Sequence, residues 1–279
     1  MEYLGDSKPV NLKVPLVSVC VATFQHFKFI EKCLQSILQQ KTSFDYEILI
    51  GEDVSTDGTR ELCIHYAEKY PDFIRLFLRD SQEKKSRKGK WIGKFNHLGL
   101  YGAARGKYVC FCDGDDHWVN ENKLQLQVNA LEAYPEASIC ITNTWIEGDK
   151  TGYPPGLPDR FTVFSTQEMK RKNYLGHISS WMVRNEMKVF LANPVLKRSS
   201  FMDMLVFTFY RMRGCTIYLP EVTSCYVLNP SGIYRSNTSK QNHLHMIRIN
   251  WLLFYYLHKD PVHFLRSLGY QLKRYLANN

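Results

Sequence analysis

Three carboxylates, Asp113, Asp115 and Asp116, stand directly after the apolar run Tyr108-Val109-Cys110-Phe111-Cys112. Charge at the end of a buried strand costs solvation energy unless a cation or hydrogen bonds compensate. Asp113 and Asp115 are two positions apart and project to the same side of an extended chain. Gly114 between them lets the backbone come close to whatever is bound. Oxygen donors suit a hard divalent cation such as Mg²⁺ or Mn²⁺. Mg²⁺ takes one or two protein carboxylates and fills its shell with water and substrate phosphates. The chemistry to expect is therefore a divalent cation bridging a diphosphate. The competing account is an acidic turn that caps the following helix.

The elements that must position these residues alternate. Leu16 to Ala22 has the length and β-branched character of a strand. Phe29, Ile30, Cys33, Leu34, Ile37 and Leu38 recur at helical spacing. Tyr46 to Gly51 reads as a second buried strand, followed by the loop Glu52 to Thr59. Asp57 or Thr59 is the expected N-cap of a helix running to Tyr70, where Pro71 stops it. Phe73 to Leu78 is a third strand, 81 to 94 a mobile basic loop, and Lys94 to Ala104 a helix. This order predicts an α/β fold with a mostly parallel central sheet, which binds ligands at the C-terminal ends of its strands. Thr23 to His26, Glu52 to Gly58 and Asp113 to Asp116 share that edge. Beyond Trp118 we expect a helix over 124–134, a strand over 138–142, a Pro- and Gly-rich loop over 151–159 and a polar helix over 166–173. A helix from Phe201 to Met212 follows, then two short strands, Cys215 to Leu219 and Thr223 to Val227.

The 279 residues are 44% hydrophobic and 23% charged, ordinary for a globular chain with a sizeable core. No apolar run reaches the roughly 20 residues needed to span a bilayer, and the N-terminus lacks the apolar stretch of a secretory signal. Eight scattered cysteines without a Cys-x-x-Cys pair favour a reducing cytoplasm over a disulfide framework. The net charge of +9 is concentrated in Lys84 to Lys94 and in the C-terminal segment. Basic patches suit an anionic substrate, an anionic membrane or nucleic acid. No recognition motif supports nucleic acid.

The segments Val17 to Phe24, Glu47 to Thr59 and Ala104 to Trp118 resemble, in order and spacing, the family-2 glycosyltransferases with the inverting GT-A fold, of the kind that builds bacterial surface polysaccharides. The resemblance is strong over 15–145 and continues more weakly to about 235. It implies a Rossmann-like central sheet flanked by helices, with a C-terminal helical extension. The units are then a lead-in (1–14), a nucleotide-sugar-binding half (15–118), an acceptor-binding and catalytic half (119–239) and basic amphipathic helices (240–279). It implies transfer of a hexosyl or N-acetylhexosaminyl group from a nucleotide-diphosphate sugar, foremost a UDP-sugar, to a glycan or lipid-linked glycan, with Mn²⁺ or Mg²⁺. Asp53 matches the acid that contacts the nucleobase, and Thr23 and Phe24 the residues beside the nucleotide. Asp115 matches the direct metal ligand. Asp113 matches the partner carboxylate, on metal or sugar hydroxyls, and Asp116 a donor contact. Asn96 is a further donor-side candidate, and Arg105 and Lys107 are candidates for the diphosphate. Val54 stands where glycine is common in the family.

Asp203 matches the downstream carboxylate that takes the acceptor proton. Its Phe and Met neighbours should raise its pKa and improve it as a base; the competing account is a helix cap or a buried partner of Arg211. His177 and Trp181 fall in a segment near the acceptor in similar enzymes, Tyr226 to Tyr234 in a closing loop, and His243 and His245 are more distant metal candidates. At the C-terminus, Phe264, Leu265, Leu268, Leu272, Tyr275 and Leu276 interleave with Arg266, Lys273 and Arg274. That pattern fits a helix lying on an anionic membrane, or a helical hairpin packed on the core or on a second subunit. The rival from another class is a non-catalytic nucleotide-sugar or glycan-binding module on the same fold.

Overall fold

The computed structural model describes residues 1–5, 13–80, 92–152, 156–170, 176–199, 201–228 and 239–277. The first half runs β1 (Glu2–Tyr3), β2 (Val17–Thr23), α1 (Ile30–Leu38), β3 (Tyr46–Glu52), α2 (Thr59–Lys69), β4 (Ile74–Leu78), α3 (Ile92–Ala103), β5 (Tyr108–Phe111) and β6 (His117–Trp118). The second half runs α4 (Lys123–Ala133), β7 (Ala137–Ile146), β8 (Asp149–Gly152), β9 (Thr162–Phe164), α5 (Thr166–Met169), β10 (Trp181–Arg184), α6 (Met187–Leu191), α7 (Met202–Arg211), β11 (Cys215–Tyr226), α8 (Ser239–Leu253) and α9 (Pro261–Ala277).

One sheet takes the order β1-β4-β3-β2-β5-β10-β7-β11-β6, with β8 on β7 and β9 on β11. Strands β4, β3, β2 and β5 form the expected parallel core. β10 then inserts antiparallel between β5 and β7. Strand residues alternate between two apolar layers. Val17, Val19 and Val21 pack with Ile30, Leu34, Cys63, Ala67, Leu124 and Leu131 of α1, α2 and α4. Cys20, Ala22, Val109 and Phe111 pack with Leu100, Tyr101, Phe190, Phe207 and Leu252 of α3, α6, α7 and α8. A sheet covered on both faces requires apolar side chains on both sides of each strand, which is why β2 and β5 read as unbroken apolar runs. Cys110 and Cys112 share one layer as expected, and all eight cysteines are free thiols.

Four local expectations change. Glu2 and Tyr3 of the lead-in form an edge strand on β4, held by Arg75 on Glu2 at 2.9 Å. The cap of α2 is Gly58, at φ +99°, while the Asp57 carboxylate accepts the Thr59 N–H. The two short strands near the C-terminal third are one strand, β11, with a register shift between Tyr218 and Val222. Pro220 lies in that shift, where a residue without an N–H is tolerated. Arg105 and Lys107 sit at the N-terminal edge, away from the acidic turn. Arg105 pairs with the buried Glu47 at 2.6 Å, and Lys107 with Glu132 at 2.6 Å. The expected basic loop over 81–94 lies outside the described residues up to 91, as does the closing loop from 229 to 234.

The C-terminal segment forms a helical hairpin on the core. Ile249, Leu252 and Leu253 of α8 enter the layer that holds Leu205 and Phe207 of α7. No helix among the described residues is long and apolar enough to cross a membrane.

Candidate active site

Three loops meet at the C-terminal edge of β2, β3 and β5. The first two are laced together. Gln25 N–H donates to Ser55 Oγ at 2.9 Å, and His26 N–H to Thr59 Oγ1 at 2.9 Å. Phe27 N–H donates to Asp57 Oδ2 at 3.0 Å. The Gln25 amide both donates to Thr56 Oγ1 and accepts the Thr56 N–H, at 3.0 and 3.1 Å. The third loop closes against them through Gly114. A Cβ there would lie 2.6 Å from Thr23 Oγ1 and 3.0 Å from His26 Nδ1. Gly114 is therefore needed for contact with the protein's own first loop.

Within the Glu52-Asp53 pair the roles divide. Glu52 is fully buried, accepts the Ser55 N–H at 2.6 Å and pairs with Arg60 at 2.9 Å. It holds the loop from below. Asp53 N–H donates to Thr23 O at 3.1 Å, which brings Asp53 to the end of β2. Val54 follows at φ +62°, the left-handed region. That conformation costs a side chain with a Cβ roughly 1–2 kcal/mol. Glycine removes this strain but adds about 0.5–1 kcal/mol of freedom to the unfolded chain. Val54→Gly should therefore raise the melting temperature by about 1–3 °C; a scan showing no rise would mean the loop holds Val54 without strain.

The acidic turn joins β5, in the sheet centre, to β6. Asp115 lies on the partly exposed side, its Oδ2 3.5 Å from His26 Nε2. The Asp113 carboxyl is pushed up to about 7 by burial, with Asp115 adding to the rise, His26 opposing it and Asp203 adding further. Asp116 is buried; its Oδ1 accepts the Val227 N–H at 3.0 Å and its Oδ2 lies 3.4 Å from His177 Nδ1. It ties the turn to the end of β11. His177 stacks on Tyr226 with centroids 4.4 Å apart, and burial pushes its pKa down to about 4, so the ring is neutral near pH 7. Asp203 stands in the first turn of α7, with Met204 N–H on its Oδ1 at 2.7 Å. Burial raises its pKa, against that hydrogen bond and the ring of His97.

Two site expectations fail on packing. Trp181 is fully buried in β10 against Phe207, at 5.4 Å, so it is a core residue and not a platform for an acceptor sugar. Asn96 is buried and its amide is spent within the fold. Its Nδ2 donates to Gly51 O at 2.6 Å and its Oδ1 accepts from Arg79 Nε at 3.0 Å. It anchors α3 to β3 in a space that a Cβ on Gly51 would fill. Thr23 and Asp53 are buried at the edge and Phe24 is 43% exposed there. His243 Nδ1 is hydrogen-bonded to Gln271 Oε1 at 2.8 Å, within the hairpin. His245 meets Phe201 at 5.9 Å. Arg211 does not pair with Asp203; it donates to Met169 O at 2.8 Å and feels the charge of Asp260.

Two residues join the site that sequence reasoning passed over. His26 was legible only as part of a polar loop, and its place beside Asp115 depends on the close approach at Gly114. His97, on α3 one residue past Asn96, has its pKa pushed down to about 4 by burial, while Asp203 and Asp53 pull it upward. It is near enough to both carboxylates to feel their charge.

The edge fits a divalent cation shared with a phosphate ligand. Among the described residues no group of three or more His, Cys, Asp or Glu is arranged to hold a metal. Asp113 and Asp115 instead offer the two carboxylates that Mg²⁺ takes when phosphates complete its shell. Buried Thr23 Oγ1 and His26 Nδ1 have no hydrogen-bond partner in the fold, which leaves polar capacity beside the acidic turn. The upward pKa of Asp113 comes from burial first and from the Asp115 carboxylate second, and a bound cation would offset both.

Residues 18–190, more than half of the chain, match the glycosyl transferase family 2 profile. An uncharacterized protein of Mycobacterium tuberculosis is 33% identical over 79% of the chain, and the chain spans 61% of that relative's length. Among solved structures, Staphylococcus aureus TarS 1–349 in complex with UDP-GlcNAc superposes with a TM-score of 0.60 at 16% identity, covering 94% of this chain and 72% of that one. The mannosyltransferase PcManGT of Pyrobaculum calidifontis, in complex with GDP-Man and Mn²⁺, gives 0.58 at 18% identity, covering 98% and 76%. These likenesses carry the GT-A fold. With the profile match over residues 18–190, the chain belongs to glycosyl transferase family 2.

Proposed function

We propose that the protein is an inverting glycosyltransferase that moves a hexosyl or N-acetylhexosaminyl group from a nucleotide-diphosphate sugar, a UDP-sugar foremost, to a hydroxyl of a glycan or lipid-linked glycan of the bacterial surface. The observation that supports this reading best is the nearness of Asp203, in the first turn of α7, to Asp113 of the acidic turn. They come from elements 90 residues apart, yet Asp203 is close enough to help raise the Asp113 pKa. Asp53 at the end of β3 accepts a hydrogen bond from the nucleobase, and Thr23 and Phe24 flank the nucleotide. Asp115 and Asp113 would hold Mn²⁺ or Mg²⁺, which would supply positive charge against the diphosphate. Asp203 takes the proton of the acceptor hydroxyl as its oxygen bonds the anomeric carbon and the bond from that carbon to the diphosphate oxygen breaks. Attack from the opposite face inverts the centre. Asp116, held by Val227 and His177, acts here by fixing the turn rather than by touching the sugar.

The eight free thiols suit a reducing cytoplasm, where nucleotide sugars are available. The test is nucleoside diphosphate release from UDP-, GDP- and dTDP-sugars with Mn²⁺, across a panel of glycan and lipid-linked acceptors. Acceptor-dependent release from one donor supports the reading. Donor binding without turnover on any acceptor would overturn it in favour of a binding module.

A further inference from the structure

Helix α9 is packed inside out. Its protein-facing stripe is His263, Ser267 and Gln271, each under 10% exposed and spaced four residues apart. Its outward stripe is Val262, Leu265, Leu272 and Leu276, between 42% and 64% exposed, on the opposite face at helical spacing. The inward polar groups are engaged. Gln271 Oε1 meets His243 of α8, His263 Nε2 lies 3.4 Å from the guanidinium of Arg211, and Asp260 Oδ1 caps the helix by accepting the Val262 and His263 N–H groups. The polar stripe therefore pins the helix in this rotation. Burying a Leu or Val side chain is worth about 1.5–3 kcal/mol, so a helix made only to cover the core would turn the other way.

The end of α8 and the π-helical turn Phe254–His258 that follows it continue the surface. Trp251 and Tyr255 are 51% and 58% exposed, and Trp251 meets Phe264 of α9 at 5.8 Å. The charge of the hairpin is one-sided. Its described side chains include Arg248, Lys259, Arg266, Lys273 and Arg274, all exposed, against the single acid Asp260. A cleft of about 590 Å³ opens beside it between α5 and α9, lined by Lys170, Arg266, Ser267 and Tyr270, with Asp260 at its wall.

We infer that the α8–α9 hairpin is a membrane-docking surface, which lies flat on an anionic phospholipid bilayer with its aliphatic stripe and Trp251 at the acyl boundary and its basic side chains on the headgroups. Aromatic and aliphatic side chains flanked by Lys and Arg, on helices that do not span, are what interfacial binding requires. A second copy of the chain is disfavoured by the same charge, because pairing this face with itself brings two basic surfaces together. The inference stands apart from the donor chemistry and from the nature of the acceptor.

The test is co-sedimentation of the whole chain with vesicles of phosphatidylglycerol and phosphatidylcholine, or of phosphatidylcholine alone, at low and high salt. We expect binding to the anionic vesicles, weakened by salt, and little to the neutral ones. Each of Arg266→Gln, Lys273→Gln and Arg274→Gln should lower the partition roughly fivefold. Leu265→Ser with Leu272→Ser should lower it by about tenfold or more. All should keep the wild-type melting temperature, since the side chains are exposed. Absence of vesicle binding, or equal binding to neutral vesicles, would overturn the inference. So would a dimer in light scattering that the Leu265→Ser, Leu272→Ser pair disperses without any vesicle binding, which would assign the face to a second copy.

Discussion

Asp115→Asn should reduce sugar transfer by about 10³-fold or more, while the protein without ligands melts no lower than the wild type. The activity loss follows from Asp115's place on the accessible side of the acidic turn, where it is the direct ligand in the proposed metal site. Removing a group that stabilises developing charge costs on the order of 10²–10³ in rate, and loss of the cation adds to that. The stability expectation has a separate source. The Asp115 carboxylate raises the pKa of both Asp113 and Asp116. Its neutral amide relieves that repulsion, as expected where a site is arranged for a ligand rather than for the fold. Transfer assays, with Mn²⁺ in excess, and a thermal scan of the same preparation check both halves. Near-normal transfer would remove Asp115 from the metal site, and a large drop in melting temperature would make its role structural.

Asp203→Asn should cost about 10²- to 10⁴-fold in rate with little change in donor affinity, the range for loss of a general base. The pH profile gives the sharper reading. Burial raises the Asp203 pKa above the ordinary carboxylate value of 3.8. A base must be ionised, so kcat/KM is full above the raised pKa and falls as pH drops through it. The acidic limb should therefore lie above that of an exposed aspartate and should vanish in Asp203→Asn. Stability moves in the opposite sense. Between the unfolded and the folded pKa the folded chain binds more protons, so the Asp203 contribution falls as pH rises through that window. The Asn variant escapes this and should melt no lower at neutral pH. An unchanged acidic limb in the variant would put the base elsewhere.

Much of the candidate donor side was legible because its signal is local. Apolar runs in β2, β3 and β5 followed directly by polar loops place Thr23, Asp53 and Asp113 at one sheet edge whatever the rest of the chain does. Residues on helices were less legible. Asn96 stands next to His97, which feels the site carboxylates, and only the packed position of Gly51 decides that the Asn96 amide turns inward. Trp181 reads equally as an acceptor platform or as core until β10 is seen inserted antiparallel between β5 and β7, a pairing of distant segments. Val54 was noted only as a departure from a family preference, and the positive φ gives that departure a physical meaning. In α9 the periodicity shows two stripes but not which one faces the protein. That choice rests on polar partners, His243 and Arg211, that lie far off in sequence.

The most direct test is a calorimetric titration of UDP, with GDP alongside, into the whole chain with and without Mn²⁺, repeated on Asp115→Asn. The account predicts that one nucleoside diphosphate binds in the presence of Mn²⁺, and that binding is lost on chelation and in the variant. Equal binding with and without the cation, or binding that survives Asp115→Asn, would contradict a donor site built on the shared cation of Asp113 and Asp115.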